Sequence, residues 1–401
     1  MLRLGSTNEG TPLYLGLIKH SQTTAANGRQ MDEHSQKPRI LIFSQRNLSR
    51  ILPFRCAHFE FEDVISQIDS VEMLAPRLNP STFRHAMAKR ITYHTPLAPN
   101  PGVPPTHIKG HYDLFLAICG DPTDLLRIHS LGNWRASCKT AVCLIDEMWV
   151  VQMARYQNFL RMLEKFDLVL LYYSQSVDPL MKRVGRKCMY LPPGVDTIRF
   201  CPYPHPHQRV VDVYSVGRRS EVTHHALLKM TAEDGLFYLH DSIAADQVLD
   251  ATEHRSLFAN VAKRSRYFIV NPGLIDRPDI RGDQIEIGNR YFEAAAAGTI
   301  MLGERPSNAE FARLFDWPDS LIHLPYNSAE INEIVGALDR EPEKLETMRR
   351  TNVMHALMRH DWVYRWEAIL KAVEIEPMPQ LLQRKEHLRN LAEIVKQDGT
   401  N

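Results

Sequence analysis

The chain has 401 residues, of which 44% are hydrophobic and 24% are charged, the mixture of an ordinary globular protein. Its formal net charge is +1, which argues against a dedicated nucleic-acid binder and against a polybasic membrane-surface protein. No apolar run approaches the roughly 18 residues that a membrane-spanning helix needs. The six cysteines form no C-x-x-C pair, so we expect reduced thiols and a cytoplasmic protein.

Residues 1–37 are polar and lack hydrophobic periodicity, and they are predicted to be a disordered extension. From residue 38 to residue 200, strand-like and helix-like runs alternate. The predicted strands are 40–43, 71–74, 112–119, 139–145, 168–173 and 188–191. The predicted helices are 59–68, 124–131, 150–166 and 177–184. This β-α order is typical of a parallel sheet that is covered by helices on both faces.

The Pro-rich segment 201–208 is the best candidate for a linker. After it, the predicted strands are 210–216, 236–240, 267–270, 300–302 and 321–324. The predicted helices are 222–232, 257–265, 291–297, 328–338, 342–357 and a long amphipathic one at 376–396. We therefore predict an α/β protein with two facing Rossmann-like domains, 38–200 and 209–375. The C-terminal helix and tail, 376–401, should pack back across the domains rather than dock on a membrane.

Charged pairs follow two of the predicted strands. In open α/β sheets, ligands bind at the carboxyl ends of the strands, so such residues are the first candidates for a site. Asp146 and Glu147 follow a strand of the first series, and Arg218 and Arg219 follow one of the second. Capping carboxylates and a solvated loop pair are the alternative interpretations. No G-x-G-x-x-G occurs in the chain, which disfavours a nicotinamide dehydrogenase.

The short helix predicted at 291–297 carries the most informative pattern. Gly288 and Asn289 precede it, where free amides and the positive end of the helix dipole form an anion site. Glu293 lies about one turn further in, where a carboxylate can accept two hydrogen bonds from a ribose diol. A plain Ala-rich helix that ends at Gly298 explains the same pattern without a ligand.

These segments resemble the group 1 glycosyltransferases of the GT-B fold. The resemblance is carried by Gly288-x4-Glu293-Ala-x-Ala-x-Gly298, which an apolar strand follows. Three further motifs occur in the same order as in the family. They lie at residues 166–170 together with 190–200, at 213–218 and at 360–366. The motifs cover residues 160–370, whereas residues 38–160 resemble the family by topology alone.

The resemblance implies a nucleotide-diphosphate sugar held mostly by the second domain, an acceptor held by the first, and no required metal or cofactor. Glu293 would hold the ribose, Arg218 would face the diphosphate, and helix-start amides would cradle the distal phosphate. The donor-binding candidates are Arg218, Arg219, Gly288, Asn289, Arg290 and Glu293. The catalytic candidates are Arg218, Glu286 and Asp146.

The chain departs from the family in four ways. Arg219 adjoins Arg218, where the family often has a Lys a few residues further on, and Ser44-Gln45-Arg46 replaces a Gly-rich loop after the first strand. The family usually has a first glutamate eight residues before the second, and Ile285 stands there, with Glu286 next to it. Many members have a sugar-contacting histidine after an early strand, where this chain has Asp146 and Glu147. These departures leave catalytic competence open.

The first hypothesis is a glycosyltransferase that moves a hexose from a UDP- or GDP-sugar to a hydroxyl acceptor, with retention at the anomeric carbon. The acceptor is a glycan or a lipid-linked precursor, as in polysaccharide biosynthesis. The second hypothesis is a nucleotide-sugar-binding protein that has lost transfer, and the third is a nucleotide-sugar epimerase on the same twin-Rossmann fold. We expect no metal, because no histidine pair is completed by a cysteine or carboxylate cluster. We also expect no nucleic-acid partner and at most peripheral membrane contact.

Overall fold

A computed structural model of the protein describes residues 37–48, 51–77, 82–241 and 248–398. The extension predicted over residues 1–37 therefore lies outside the described residues, apart from Lys37. In the part of the chain that is described, no helix is long and apolar enough to cross a membrane.

The first sheet is parallel throughout. Its strands are β1 (Ile40–Phe43), β2 (Val71–Leu74), β3 (Tyr112–Cys119), β4 (Cys138–Ile145), β5 (Leu168–Leu171) and β6 (Lys187–Tyr190). Their spatial order is β2-β1-β3-β4-β5-β6. The helices of this half are α1 (Arg55–Ile68), α2 (Thr82–His94), α3 (Leu125–His129), α4 (Gln157–Leu160), α5 (Val177–Val184) and α6 (Thr197–Phe200). The central strands are near-continuous apolar runs because helices cover both faces of the sheet.

The second sheet is also parallel. Its strands are β7 (Val211–Ser215), β8 (Tyr238–His240), β9 (Ser265–Val270), β10 (Ile300–Gly303) and β11 (Ile322–His323), in the spatial order β11-β10-β9-β7-β8. Its helices begin with α7 (Glu221–Asp234), α8 (Ala251–Lys263), α9 (Pro278–Arg281), α10 (Asn289–Ala296), α11 (Ala309–Leu314) and α12 (Ile331–Leu338). The chain then closes with α13 (Pro342–Arg359), α14 (Trp362–Ala372) and α15 (Pro379–Gln397). The prediction of an α/β protein with two Rossmann-like sheets and a C-terminal helix is confirmed.

The last helix, α15, returns to the first half of the chain. Leu388 and Val395 are fully buried in the same core as Ile40 of β1 and Leu114 of β3. Arg384 fixes the helix because its guanidinium donates to the buried carboxylate of Asp361 at 2.8 Å. The apolar stripe of α15 therefore completes the core on one face of the first sheet.

One predicted helix, 150–166, is wrong as a single element. The structure has a 3-10 turn at Val150–Gln152, then α4, then a second 3-10 segment at Arg161–Lys165. The amide of Val150 donates to the side chain of Gln284 at 2.9 Å, so a contact from the second half of the chain holds the start of this irregular segment. The helices α2, α6, α9, α11 and α14 were not predicted. The proposed domain limits stay a prediction, although the Pro-rich segment 201–208 contains no helix or strand.

Candidate functional site

A cavity of about 420 Å³ lies between the carboxyl ends of strands from both sheets. From the first half, its walls are the start of α1 and the loops after β4, β5 and β6. From the second half, they are the loops after β7 and β9 and the start of α10. This is the place where open α/β sheets bind ligands, because loops from several strands converge there.

Most of the candidates from the sequence share this cavity. The lining includes Asp146, Glu147, Arg218, Gly288, Asn289, Arg290 and Glu293. Two acidic residues after β4 therefore lie on one wall, and the basic residues and helix-start amides lie on the other. The structure brings together the donor-binding candidates, with the exception of Arg219, and the catalytic candidates Arg218 and Asp146.

Arg218 reaches the cavity through a tight turn after β7. Gly217 has a φ of 87°, in the left-handed region that favours glycine, and the turn directs the chain into the loop. The side chain of Arg218 is 52% exposed, and its Nη1 is 3.4 Å from Oδ2 of Asp276. Because this contact is long and solvated, it is weak, and the guanidinium is available to an anion in the cavity.

The start of α10 forms the next part of the same wall. Gly288 is the N-cap residue, in extended backbone, and no side chain caps the helix. The amides of Asn289 and Arg290 find no acceptor among the described residues. Unpaired amides at a helix start, together with the helix dipole, attract an anion.

Glu293 lies one turn further along α10, with its side chain 1% exposed. Oε2 accepts a hydrogen bond from Nη1 of Arg290 at 2.5 Å, and Oε1 accepts one from Nη1 of Arg255. Burial alone would raise the pKa of Glu293, but the two guanidiniums outweigh it and lower the pKa. The carboxylate therefore stays ionised at the floor of the cavity, and arginines hold both of its oxygens.

A buried acid from the first half completes this ion-pair cluster. Glu60 of α1 accepts from Arg255 at 2.8 and 3.0 Å, and from Nε1 of Trp362 at 2.9 Å. Burial works against the charge of Arg255, but Glu60 and Glu293 raise the pKa of its guanidinium. The chain of charges Glu60, Arg255, Glu293 and Arg290 thus joins α1, α8 and α10 beside the cavity.

Two carboxylates form the opposite wall. Oδ2 of Asp146 is 2.8 Å from Nε2 of His58, a side chain that is 2% exposed. Glu147 accepts from Nε1 of Trp149 at 2.9 Å. Burial raises the pKa of Glu147, and the neighbouring charge of Asp146 adds to this effect. A carboxylate backed by an imidazole can orient a hydroxyl group or take its proton.

Glu286 and Arg219 do not line the cavity. The carboxylate of Glu286 accepts from the amides of Ser174 at 3.1 Å and Gln175 at 3.0 Å, and burial raises its pKa. It therefore ties the loop after β5 to the segment before α10. Arg219 donates to the backbone oxygen of Asp241 at 2.6 Å. The catalytic role of Glu286 and the donor-binding role of Arg219 stay predictions, and neither has a place in the cavity.

Several residues of the lining were not predicted from the sequence. Asn271, Pro272 and Gly273 follow β9, and the rule that selected Arg218 after β7 applies equally to them. Arg255 carries no such signal, because a charged residue inside a helix usually faces solvent. Within the described residues, no group of three or more His, Cys, Asp or Glu is placed to hold a metal ion.

Comparison with known proteins gives one family match. Residues 238–371 match a family model described as glycosyl transferase-like, and the match spans β8 to α14. No curated protein matches the chain.

Several solved structures superpose loosely on the chain. HepE from Anabaena, in complex with UDP-glucose, has a TM-score of 0.49 at 12% identity, and covers 84% of this chain and 99% of its own. A UDP-forming trehalose-phosphate synthase from Burkholderia vietnamiensis has a TM-score of 0.49 at 10% identity, over 86% of this chain and 99% of its own. An alpha-glucosyltransferase in complex with UDP-glucose and DNA has a TM-score of 0.49 at 11% identity, and covers 84% of this chain and 100% of its own. Superpositions this loose carry no information about activity.

Proposed function

We propose that this chain, whose residues 238–371 are glycosyl transferase-like, moves a hexose from a UDP- or GDP-sugar to a hydroxyl acceptor without a metal ion. The observation that carries the proposal is the shared cavity. In it, the cationic wall of Arg218, Arg290 and the α10 amides lines the same space as the acidic wall of Asp146 and Glu147. A cavity of about 420 Å³ lies within the usual range for small-molecule sites, roughly 300–1,000 Å³.

The cationic wall suits a nucleoside diphosphate. The leaving diphosphate gains negative charge as the sugar–oxygen bond breaks, and positioned guanidiniums and helix-start amides stabilise that charge. The arginines that hold Glu293 differ in exposure, since the side chain of Arg290 is 26% exposed and that of Arg255 is 3% exposed. Arg290 is therefore the partner that can leave Oε2 of Glu293. A ribose diol would take its place, and Arg290 would turn toward the diphosphate.

The acidic wall suits the acceptor or the sugar. Asp146, held by His58, would accept a hydrogen bond from a hydroxyl group and orient it toward the anomeric carbon. Retention at that carbon is implied by the group 1 resemblance. In that case the hydroxyl attacks from the face of the leaving diphosphate, whose oxygen takes the proton, and Asp146 acts by positioning. The acceptor is a hydroxyl compound such as a glycan or lipid-linked precursor.

The test compares two neighbouring arginines. Purified wild type, Arg218→Ala and Arg219→Ala are titrated with UDP and GDP, and release of the nucleotide from UDP- and GDP-sugars is measured with candidate acceptors. We expect Arg218→Ala to weaken nucleotide binding about tenfold or more, the cost of one charge-assisted hydrogen bond. Arg219→Ala, whose side chain lies outside the lining, should stay within about twofold. Equal affinities of the two variants would contradict the assignment of the cavity.

A second function, nucleotide-sugar binding without transfer, is favoured by one observation. Ile285 stands at the family's first glutamate position, and the neighbouring carboxylate of Glu286 is occupied by backbone amides. No carboxylate from that segment would then meet the donor sugar. Saturable binding of a UDP- or GDP-sugar, with no nucleotide released in the presence of any acceptor tested, would support this function over transfer.

A further inference from the structure

A second cavity, of about 300 Å³, lies near the opposite, amino-terminal edge of the second sheet. It shares no lining residue with the donor cavity. Its lining comes from the Pro-rich segment, from the start of β9 and from α13. The lining residues are Pro202, Tyr203, Pro206, His207, Arg209, Arg266, Glu346, Arg349 and Val353.

Arg209 brings a buried positive charge to this cavity. Its guanidinium donates to the backbone oxygens of Ser265 at 2.6 Å and Ala297 at 3.1 Å. It forms no ion pair with a carboxylate in the described chain. Burial, followed by the charge of Arg349, lowers the pKa of Arg209 to about 10, against the smaller raising effect of Glu346. The two hydrogen bonds to carbonyl groups leave other N–H groups of this guanidinium without a charged partner.

Arg349 of α13 brings a second positive charge. Its side chain is 16% exposed, and its ion pair with Glu346 is long, at 3.4 Å. Its Nε is buried and has no hydrogen-bond partner among the residues that the structure describes. The third guanidinium, of Arg266, is already neutralised by Asp212, at 2.8 Å, and by Asp339. With Arg266 neutralised, the remaining charges of the lining are those of two arginines, Arg209 and Arg349, and one carboxylate, Glu346.

We propose that this cavity binds a phosphoryl group, either free phosphate or a small phosphomonoester, between Arg209 and Arg349. Two like charges that line one cavity repel each other, and a dianion between them removes the repulsion. Guanidinium groups match the tetrahedral oxygens of phosphate through paired N–H donors. The ligand would join the Pro-rich segment to α13. The proposal does not depend on the function of the donor cavity.

The experiment uses the full chain with two probes, inorganic phosphate and glycerol phosphate, at constant ionic strength set with chloride. Binding is followed by calorimetry and by the shift of the melting temperature. The expected result is saturable binding of at least one probe. Arg349→Gln should weaken that binding about tenfold or more, because it removes a charge-assisted contact. Arg349→Lys keeps the charge but loses the forked geometry, and should give an intermediate affinity.

The matched control is Arg350→Gln, at the next position of α13. Arg350 also pairs with Glu346, at 3.8 Å, but does not line the cavity. The affinity of the Arg350→Gln variant for the probe should stay within about twofold of the wild-type value. Arg218→Ala, in the donor cavity, should bind it equally well. The proposal is overturned if neither probe binds saturably, if Arg350→Gln weakens binding as much as Arg349→Gln, or if Arg218→Ala abolishes it. If Arg349→Gln does not fold, Arg349→Lys against Arg350→Gln gives the same decision.

Discussion

The buried carboxylate of Glu60 is the best place to test the ion-pair cluster beside the donor cavity. Glu60→Gln keeps the size of the side chain and removes its charge. In the wild type, the carboxylate accepts two hydrogen bonds from Arg255, one from Trp362 and one from the amide of Asp196 at 2.9 Å. The amide group of Gln would turn an N–H toward one of these donors, and Arg255 would keep Glu293 as its one remaining acidic partner.

The size of the effect follows from burial. The side chains of Glu60 and Arg255 are 1% and 3% exposed, so solvent cannot replace the lost charge. Breaking a buried pair by removing one partner costs about 3–5 kcal/mol. The lower end applies here, because the remaining contact with Glu293 still offsets the charge of Arg255. We therefore expect Glu60→Gln to lower the free energy of unfolding by about 3 kcal/mol, measured by urea denaturation near neutral pH.

An exposed ion pair provides the control. Lys229 and Glu233 of α7 are 3.8 Å apart, with side chains 71% and 61% exposed. Glu233→Gln should change the free energy of unfolding by less than about 1 kcal/mol. The reasoning is refuted if Glu60→Gln changes stability no more than Glu233→Gln does, since the buried cluster would then contribute no more than a solvated pair.

Four further changes test packing and titration, and each is measured by chemical denaturation. A Cβ on Gly194 would lie 2.6 Å from the ring of Trp362, so Gly194→Ala should destabilise the fold by about 1–3 kcal/mol. By contrast, Gly336→Ala, which meets no atom within 4 Å, should stabilise α12 by roughly 0.5–1 kcal/mol. Leu388→Ala should cost about 2–5 kcal/mol because its side chain is fully buried. Burial raises the pKa of Glu62 from 4.5 to about 7, so the folded chain holds this proton more tightly than the unfolded chain, and stability falls as pH rises through that interval. Glu62→Gln should lose less stability than the wild type between about pH 5 and about pH 8, and an identical pH profile would contradict the assignment.

The strands and the cavity residues that follow them were predictable because their signals are local. A buried parallel strand is an apolar run, and a polar residue at its carboxyl end falls at the ligand edge of the sheet. That rule places Arg218 and Asp146 in one cavity. The start of α8 also had a local signal that was overlooked. Asp250 caps the helix by accepting from the amide of Glu253 at 2.8 Å, and Asp-x-x-Glu is close to a capping box.

The contacts between distant parts of the chain were not predictable in this way. Arg255 and Glu60 are 195 positions apart, and each lies in a helix whose charges are expected to face solvent. The irregular segment after Trp149 has helical periodicity, but the side chain of Gln284 takes the amide of Val150. Tertiary contacts override the expected exposure of Arg255 and Glu60, whereas the bond to Gln284 holds only the start of the irregular segment. The occupied oxygens of Glu286 likewise depend on Ser174 and Gln175, which are far from it in sequence.

The return of α15 to the first sheet has a consequence for how the chain folds as it leaves the ribosome. Strands β1 to β5 emerge early, but the part of their sheet face that Leu388 and Val395 cover stays open until α15 has been synthesised. Domains generally fold as units in the order of their translation. In this protein, however, part of the hydrophobic surface of the amino-terminal half is buried only by α15, which is translated much later. Until α15 has been synthesised, that patch of the sheet stays exposed or makes transient non-native contacts, the situation in which chaperones protect a nascent chain.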